Sequence, residues 1–136
     1  MELLKTYIVE DAEVVRDSLV AALEEMAPIK VVGVAEDEAT AVGWLTESGN
    51  TADLVIVDVF LKSGSGLGLL RAIGHPQRTR KLVILSNCAI PEMRQKCIEL
   101  GASGVFDKSN DIEALVDYCE RLASGNSGTS APAEFC

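Results

Sequence analysis

Short runs of apolar and β-branched residues alternate along the chain with longer segments in which apolar residues recur every three or four positions. This alternation is typical of βα units, in which a helix returns the chain to the same edge of a parallel sheet. The third and fourth runs, Leu54–Val57 and Leu82–Leu85, are continuously apolar, as in strands covered by helices on both faces. Five strands are predicted, at residues 6–9, 30–35, 54–58, 82–86 and 104–107.

Five helices are predicted between and after these strands. Pro28 ends the first helix, Pro91 begins the fourth, and Gly101 follows the last periodic residue of the fourth. The second and third helices, around residues 38–48 and 67–73, have the weakest periodicity. Together with the strands, they predict an α/β fold with a doubly wound parallel sheet.

The length and composition indicate one globular domain with a short tail. The chain has 136 residues, of which 48% are hydrophobic and 24% charged, and it is long enough to bury a substantial core. Residues 1–123 are assigned to this domain. Residues 124–136 are small, polar and aperiodic, so they are predicted to form a flexible tail or the start of a linker.

The charge balance and the apolar segments exclude several classes of partner. The 12 Lys and Arg against 21 Asp and Glu give a formal net charge of −9, so we expect no direct binding of nucleic acid. No apolar stretch approaches the roughly 20 residues of a membrane helix, and the N-terminus lacks a signal-peptide pattern. A cytoplasmic location without membrane contact is therefore expected. The four cysteines have no metal-ligand spacing, which argues against a zinc site.

Polar residues follow the carboxyl ends of four predicted strands. Glu10 and Asp11 follow the first strand, and Asp58 ends the third. Ser86 ends the fourth strand and Lys108 follows the fifth. In open α/β sheets, ligands bind beyond these ends, where the strand order reverses. With the order 2-1-3-4-5 of a flavodoxin-like sheet, the first and third strands flank that point, and the three acids share one crevice.

Such a crevice needs a cation. Two carboxylates 4 Å apart repel by about 1 kcal/mol in water and by about 4 kcal/mol at an effective dielectric constant of 20. Mg²⁺ is the natural counter-charge, because it prefers carboxylate oxygens and phosphate oxygens. A carboxylate nucleophile, a metal ion, a lysine and a hydroxyl donor are together the parts needed for phosphoryl transfer.

Each of these residues also has a purely structural explanation. Glu10 and Asp11 would favour the start of the following helix, Lys108 would be a surface charge, and Ser86 a turn residue. Asp58 is harder to explain in this way, because an acid directly after an apolar strand risks burial. Clustering of ionisable groups in one cleft favours the functional interpretation of the set.

These residues, in this order, resemble the receiver domain of response regulators, the phosphoacceptor part of two-component systems. The resemblance covers about residues 4–123 and is closest to single-domain, chemotaxis-regulator-like receivers. The matching pieces are Val9-Glu10-Asp11, Leu54-Val55-Ile56-Val57-Asp58 with Gly66 eight positions later, Leu85-Ser86, and Gly101-Ala102-Ser103-Gly104 before Lys108.

The resemblance implies a metal site and a phosphorylated residue. Asp58 would accept a phosphoryl group from the phosphohistidine of a sensor histidine kinase or of a histidine phosphotransfer protein. Glu10, Asp11, Asp58 and the backbone carbonyl of Phe60 would hold Mg²⁺, or Mn²⁺ in its place.

The resemblance also implies how the signal leaves the domain. Ser86 would bond the phosphoryl oxygens and Lys108 would pair with them. The surface formed by the fourth helix, the fifth strand and the fifth helix would then shift and act on a downstream effector protein, or form a homodimer. The chain would catalyse only its own phosphorylation and dephosphorylation.

The chain departs from the commonest family pattern at a few positions. Val105 stands where a Tyr or Phe rotamer switch is usual, so an aromatic side chain is not expected at that position to couple phosphorylation to the output surface. Lys62 and Ser109 replace common prolines, and Asn87 replaces a small residue. Two alternatives stay open: a receiver-like scaffold that binds partners without phosphorylation, and a small magnesium-dependent phosphatase or other hydrolase.

Overall fold

The structure, a computed structural model, describes residues 3–47, 49, 51–58, 61, 64–73, 80–86, 91–108 and 111–124. In this part of the chain, strands and helices alternate from the first element to the last. The strands are β1 (Leu4–Val9), β2 (Ile29–Ala35), β3 (Leu54–Val57), β4 (Lys81–Ser86) and β5 (Gly104–Asp107). The helices are α1 (Glu13–Met26), α2 (Glu38–Thr46), α3 (Gly66–Ile73), α4 (Pro91–Glu99) and α5 (Ile112–Ala123).

The strands form one parallel sheet in the order β2-β1-β3-β4-β5, which confirms the predicted fold class and strand order. β1 and β3 are hydrogen-bonded neighbours, with Thr6 opposite Leu54 and Val9 opposite Val57. The order reverses at this pair, because the chain adds β2 on one side of β1 and β3 on the other. The carboxyl ends of β1 and β3 therefore lie side by side at the switch point of the sheet.

Two hydrophobic clusters cover the two faces of the sheet. Helices α2, α3 and α4 pack on one face, and α1 and α5 on the other. Alternate residues of a strand enter opposite clusters, so Val55 and Val57 join the first cluster and Leu54 and Ile56 the second. All four residues of β3 are buried, as its continuous apolar sequence predicts.

The boundaries of the elements differ from the sequence prediction by a few residues. β1 begins at Leu4 rather than residue 6, because Leu4 and Lys5 also pair with β2. The second helix ends at Thr46, and Glu47 already has extended backbone angles. Asp58 lies just beyond β3, although its N–H still donates to the Val9 carbonyl at 3.0 Å.

Some predicted features lie outside the described residues. These are Phe60, Lys62, Asn87, Ser109 and the tail beyond Ser124. The division of the chain at residue 124 therefore stays a prediction. Within the described ranges, none of the helices combines the length and apolar character that crossing a membrane requires.

Candidate functional site

Three carboxylates meet at the carboxyl edge of the sheet. Glu10 follows β1, Asp11 begins the turn into α1, and Asp58 follows β3. One oxygen from each of the three lies within 4.8 Å of the others. The pairing of β1 with β3 produces this arrangement, because it brings residues 48 positions apart to the same end of the sheet. The structure thus places the three acids in one crevice.

Lys108 places its ammonium group among these carboxylates. Its Nζ donates to Asp58 Oδ2 at 3.0 Å and also to Glu10 Oε1. The side chains are only 15% exposed for Lys108, 4% for Glu10 and 12% for Asp58. Burial alone would lower the pKa of Lys108, but the hydrogen bonds and charges of Glu10 and Asp58 outweigh burial and raise that pKa above its ordinary value.

Glu10 also holds the start of α1. Its Oε2 accepts a hydrogen bond from the Ala12 N–H at 3.2 Å, while its Oε1 accepts from Lys108. Ala12 is the residue that precedes α1, and it has no side-chain oxygen to bond the first helical N–H groups. The structural and the functional interpretations of Glu10 are therefore compatible, because its two oxygens have different partners.

Arg16 is a second cation beside this turn, and the sequence pattern did not single it out. Its Nη1 donates to the backbone carbonyl of Glu10 at 3.0 Å and lies 3.8 Å from Glu36 Oε1. The Arg16 side chain is 10% exposed. Since the guanidinium bonds a carbonyl rather than a carboxylate of the cluster, it fixes the backbone that carries Glu10 and leaves the acidic oxygens to other partners. In a single sequence, an arginine six residues after Glu10 on an amphipathic helix gives little indication that its side chain contacts the site.

Ser86 lies at the same edge of the sheet, at the end of β4. Ile84 pairs with Val57, so Ser86 stands beyond the level of Asp58 on the neighbouring strand. Ser86 is fully buried, and its carbonyl accepts the Lys108 N–H at 2.9 Å. This bond fixes the backbone of Lys108 against β4. The structure therefore brings all five predicted residues to one edge, while Phe60 lies outside the described residues.

The donor set fits a hard divalent cation. Three carboxylates supply only oxygen ligands, and Lys108 offsets only part of their negative charge. Asp58 and Asp11 are partly exposed, whereas Glu10 is 3% exposed. An ion or phosphoryl group would therefore reach the cluster from the side of the two aspartates.

A shallow, mostly apolar pocket of about 330 Å³ adjoins Lys108. It lies between α1 and α5. Val14 and Val15 of α1 are 79% and 42% exposed, so they add apolar surface beside the charged cluster. The pocket is lined by Val14, Val15, Ser18, Leu19, Lys108 and Ile112.

A doubly wound sheet with an acid cluster at its switch point and a lysine paired with the acid after β3 defines a receiver-type site. This chain belongs to the response regulator receiver domain family, whose model matches residues 6–120. Receiver domains generally bind Mg²⁺, which agrees with the oxygen ligands of the cluster.

Several known proteins are similar to this chain in sequence or in fold. The response regulator UvrY of Escherichia coli strain K12 is 28% identical over 123 residues, covering 90% of this chain and 56% of UvrY. A LuxR-family two-component response regulator from Aurantimonas is 26% identical, with a TM-score of 0.79 over 91% of this chain and 87% of that one. RcsB of Salmonella typhimurium is 21% identical, with a TM-score of 0.78 over 99% of this chain and 67% of RcsB. The chain thus spans little more than half the length of UvrY.

These comparisons correct the exclusion of nucleic acid from the partners of this protein. The relatives include a LuxR-family regulator, and the RcsB structure concerns DNA interaction. The prediction was wrong because a net charge of −9 describes only these 136 residues, whereas UvrY and RcsB are longer chains. Net charge affects solubility and non-specific binding, but it does not determine the target on which a receiver finally acts.

Proposed function

We propose that this chain is the phosphoacceptor domain of a two-component or phosphorelay response regulator, with Asp58 as the residue that is phosphorylated. One observation carries this proposal: the partly exposed carboxylate of Asp58 lies 3.0 Å from Lys108 Nζ and shares a 4.8 Å cluster with Glu10 and Asp11. A carboxylate in such a setting can act as a nucleophile toward a phosphoryl group whose charge is neutralised by its neighbours.

In the proposed reaction, an oxygen of Asp58 attacks the phosphorus atom of a phosphohistidine. The new P–O bond forms as the P–N bond breaks, and the electron pair of the P–N bond returns to the imidazole nitrogen. Glu10, Asp11 and Asp58 would hold Mg²⁺, or Mn²⁺, which when bound neutralises negative charge on the phosphoryl oxygens.

Lys108 and Ser86 would hold the transferred group. Lys108 already bonds Asp58, so its ammonium can pair with a phosphoryl oxygen attached there. Ser86 ends the strand next to β3, where a hydroxyl would donate to the same group. The placement of the two residues at one edge of the sheet supports both roles.

The proposed phosphoryl donor is a protein histidine, on a kinase or a phosphotransfer protein. The apolar pocket beside Lys108 supports a macromolecular donor, because Val14 and Val15 expose a surface that a small phosphate ester would not cover. The likeness to a LuxR-family regulator and to RcsB, whose structure concerns DNA interaction, supports DNA as the target on which the signal finally acts.

The direct test is phosphorylation of the full chain with acetyl phosphate and Mg²⁺, followed by intact mass. We expect one added phosphoryl group in the wild type, and none in Asp58→Asn or when Mg²⁺ is chelated. Asp17→Asn is the matched control, because it makes the same change at an exposed position of α1 and should leave the adduct unchanged.

Three outcomes would contradict the proposal. An adduct that persists in Asp58→Asn would assign the phosphoryl group to another residue. A wild type that forms no adduct would favour a scaffold that works without phosphorylation. Turnover of a phosphate ester by the wild type would instead favour a hydrolase.

A further inference from the structure

Arg94 links its helix, α4, to β5 and to the residue that precedes α5, close to Lys108 in the chain. Its Nη1 donates to the Val105 carbonyl of β5 at 2.8 Å, and its Nη2 donates to Asp111 Oδ2 at 3.1 Å. The same Asp111 oxygen accepts the Asp107 N–H at 2.9 Å. The side chains of Arg94 and Asp111 are 16% and 28% exposed. One charged network therefore links α4, the end of β5 and the residue that precedes α5.

This network lies one residue away from Lys108. Asp107 precedes Lys108 directly, and it is bonded to Asp111 twice: the Asp107 N–H donates to the Asp111 side chain, and the Asp111 N–H donates to the Asp107 carbonyl at 2.9 Å. On its other side, the Lys108 N–H donates to Ser86 at 2.9 Å. The backbone of Lys108 is thus held between β4 and Asp111, so displacement of this backbone alters the position of the Asp111 carboxylate.

The side chain of Val105 is poorly suited to carry such a displacement. Valine is β-branched and stiff about χ1, and Val105 is fully buried in the core. The backbone carbonyl of the same residue is the acceptor for Arg94. At this position β5 therefore contacts α4 through a charge-assisted hydrogen bond, which is stronger and more directional than a neutral one.

We propose that Arg94 is a positioning residue that couples a change at Lys108 to helix α4, through Asp111 and the backbone of β5. This inference rests on the proposed function, since a phosphoryl group on Asp58 would give the Lys108 ammonium a new partner in place of Glu10 and Asp58. The backbone at residues 107 and 108 adjusts when the lysine side chain moves. Asp111 shares one carboxylate oxygen between that backbone and Arg94, so the adjustment reaches α4.

The test is amide NMR of the ¹⁵N-labelled full chain with Mg²⁺, before and after addition of beryllofluoride, a stable mimic of the phosphoryl group. In the wild type we expect chemical-shift changes around Asp58 and in α4. In Arg94→Met, the changes around Asp58 should persist, whereas most of the change in α4 should be lost, because the two sites are no longer coupled.

A second variant and a control make the test specific. Asp111→Ala breaks the same link from the other end, so it should also reduce the α4 response. The double variant should lose no more than either single variant, because the two residues act as one unit. Lys96→Met removes the same charge from an exposed position of α4 and should respond like the wild type. Heat unfolding checks that each variant is folded.

The possible failures are distinguishable. If beryllofluoride changes no shifts around Asp58 in the wild type, the proposed function fails. If Asp58 responds but α4 does not in the wild type, or if α4 responds fully in folded Arg94→Met, the coupling role of Arg94 is wrong and the proposed function stands. Should Arg94→Met not fold, Asp111→Ala decides the question alone.

Discussion

The ammonium group of Lys108 lies 3.0 Å from the carboxylate of Asp58, two strands away across the sheet. The lysine follows β5 and the aspartate follows β3, so the side chain passes over the end of β4 to reach its partner. The same ammonium also bonds Glu10 beyond β1. A single side chain therefore links the ends of three strands at the switch point, and its loss should affect both stability and chemistry.

Removal of Lys108 should destabilise the fold. In Lys108→Met, Glu10 and Asp58 lose the ammonium group that bonds both of them, so we expect the free energy of unfolding to fall by about 1–3 kcal/mol, because the ion pairs are buried but not fully enclosed. Urea unfolding followed by Trp44 fluorescence at pH 7 measures this change. Lys96→Met, on the exposed side of α4, should stay near the wild type. Equal stability of both variants would mean that the contacts of Lys108 contribute little.

Mg²⁺ should stabilise the wild type through the acid cluster. An ion that binds only the folded state adds about 2.7 kcal/mol at a concentration one hundred times its Kd. Asp11→Asn removes one of the three carboxylates and should greatly reduce this gain, while Asp17→Asn should retain it. The melting temperature, measured across a Mg²⁺ titration and again after chelation, gives the answer. A gain that is identical in Asp11→Asn would place the ion elsewhere.

Tyr7 should make the fold sensitive to alkaline pH. Burial, and to a smaller extent the charge of Asp37, raises the pKa of Tyr7 to about 12, from an ordinary value of 10.0. As the pH rises above 10, the unfolded chain ionises this tyrosine before the folded protein does, so stability decreases until the pH passes the folded pKa. The decrease attributable to Tyr7 has a limiting slope of about 1.4 kcal/mol per pH unit.

Tyr7→Phe isolates this contribution. The variant keeps the ring that stacks on Trp44 at a centroid distance of 4.2 Å and removes the titrating hydroxyl. Its stability should therefore fall less steeply than that of the wild type between pH 10 and 12. Cys119, whose pKa burial raises to about 12, is present in both proteins and cancels in the comparison. Parallel curves for the two proteins would show that Tyr7 ionises normally.

Two glycines should respond to alanine in opposite directions. A Cβ at Gly33 in β2 would lie 2.8 Å from Tyr7 Cε1, so Gly33→Ala should cost about 1–3 kcal/mol through overpacking of the Tyr7 ring. A Cβ at Gly43 in α2 would meet nothing within 4 Å, so Gly43→Ala should stabilise the helix by about 0.5–1 kcal/mol. Urea unfolding compares the two variants. A neutral Gly33→Ala would mean that the ring moves aside at little cost.

The sequence predicted the features that depend on periodicity and on position along a strand. The five strands were recognisable because buried parallel strands are continuously apolar, as Leu54–Val57 is. The acids at the edge of the sheet were recognisable because Glu10, Asp11 and Asp58 follow such strands directly. Strand order then determines that these residues meet, so the arrangement of the three acids needed no knowledge of side-chain directions.

The contacts made by long side chains were not predictable in this way. Arg16, Arg94 and Asp111 are charged residues on or beside helices, where one sequence usually indicates only solvent exposure. Their partners include the Glu10 and Val105 carbonyls and the Asp107 N–H, and the identity of a residue does not show what its backbone groups bond. Partners of this kind become visible only when the turns that present them are placed in space.

Adjacent residues of β5 are anchored on opposite sides of the sheet, and this restricts how the domain can change shape. Val105 is packed in the layer with α2, α3 and α4, and Phe106 in the layer with α1 and α5. Tilting or twisting this strand would disrupt both layers at once. Helix α4 packs against one layer only, so it can be displaced at lower cost, and a conformational signal in this domain should move α4 and the end of β5 at Asp107 while Val105 and Phe106 stay in place.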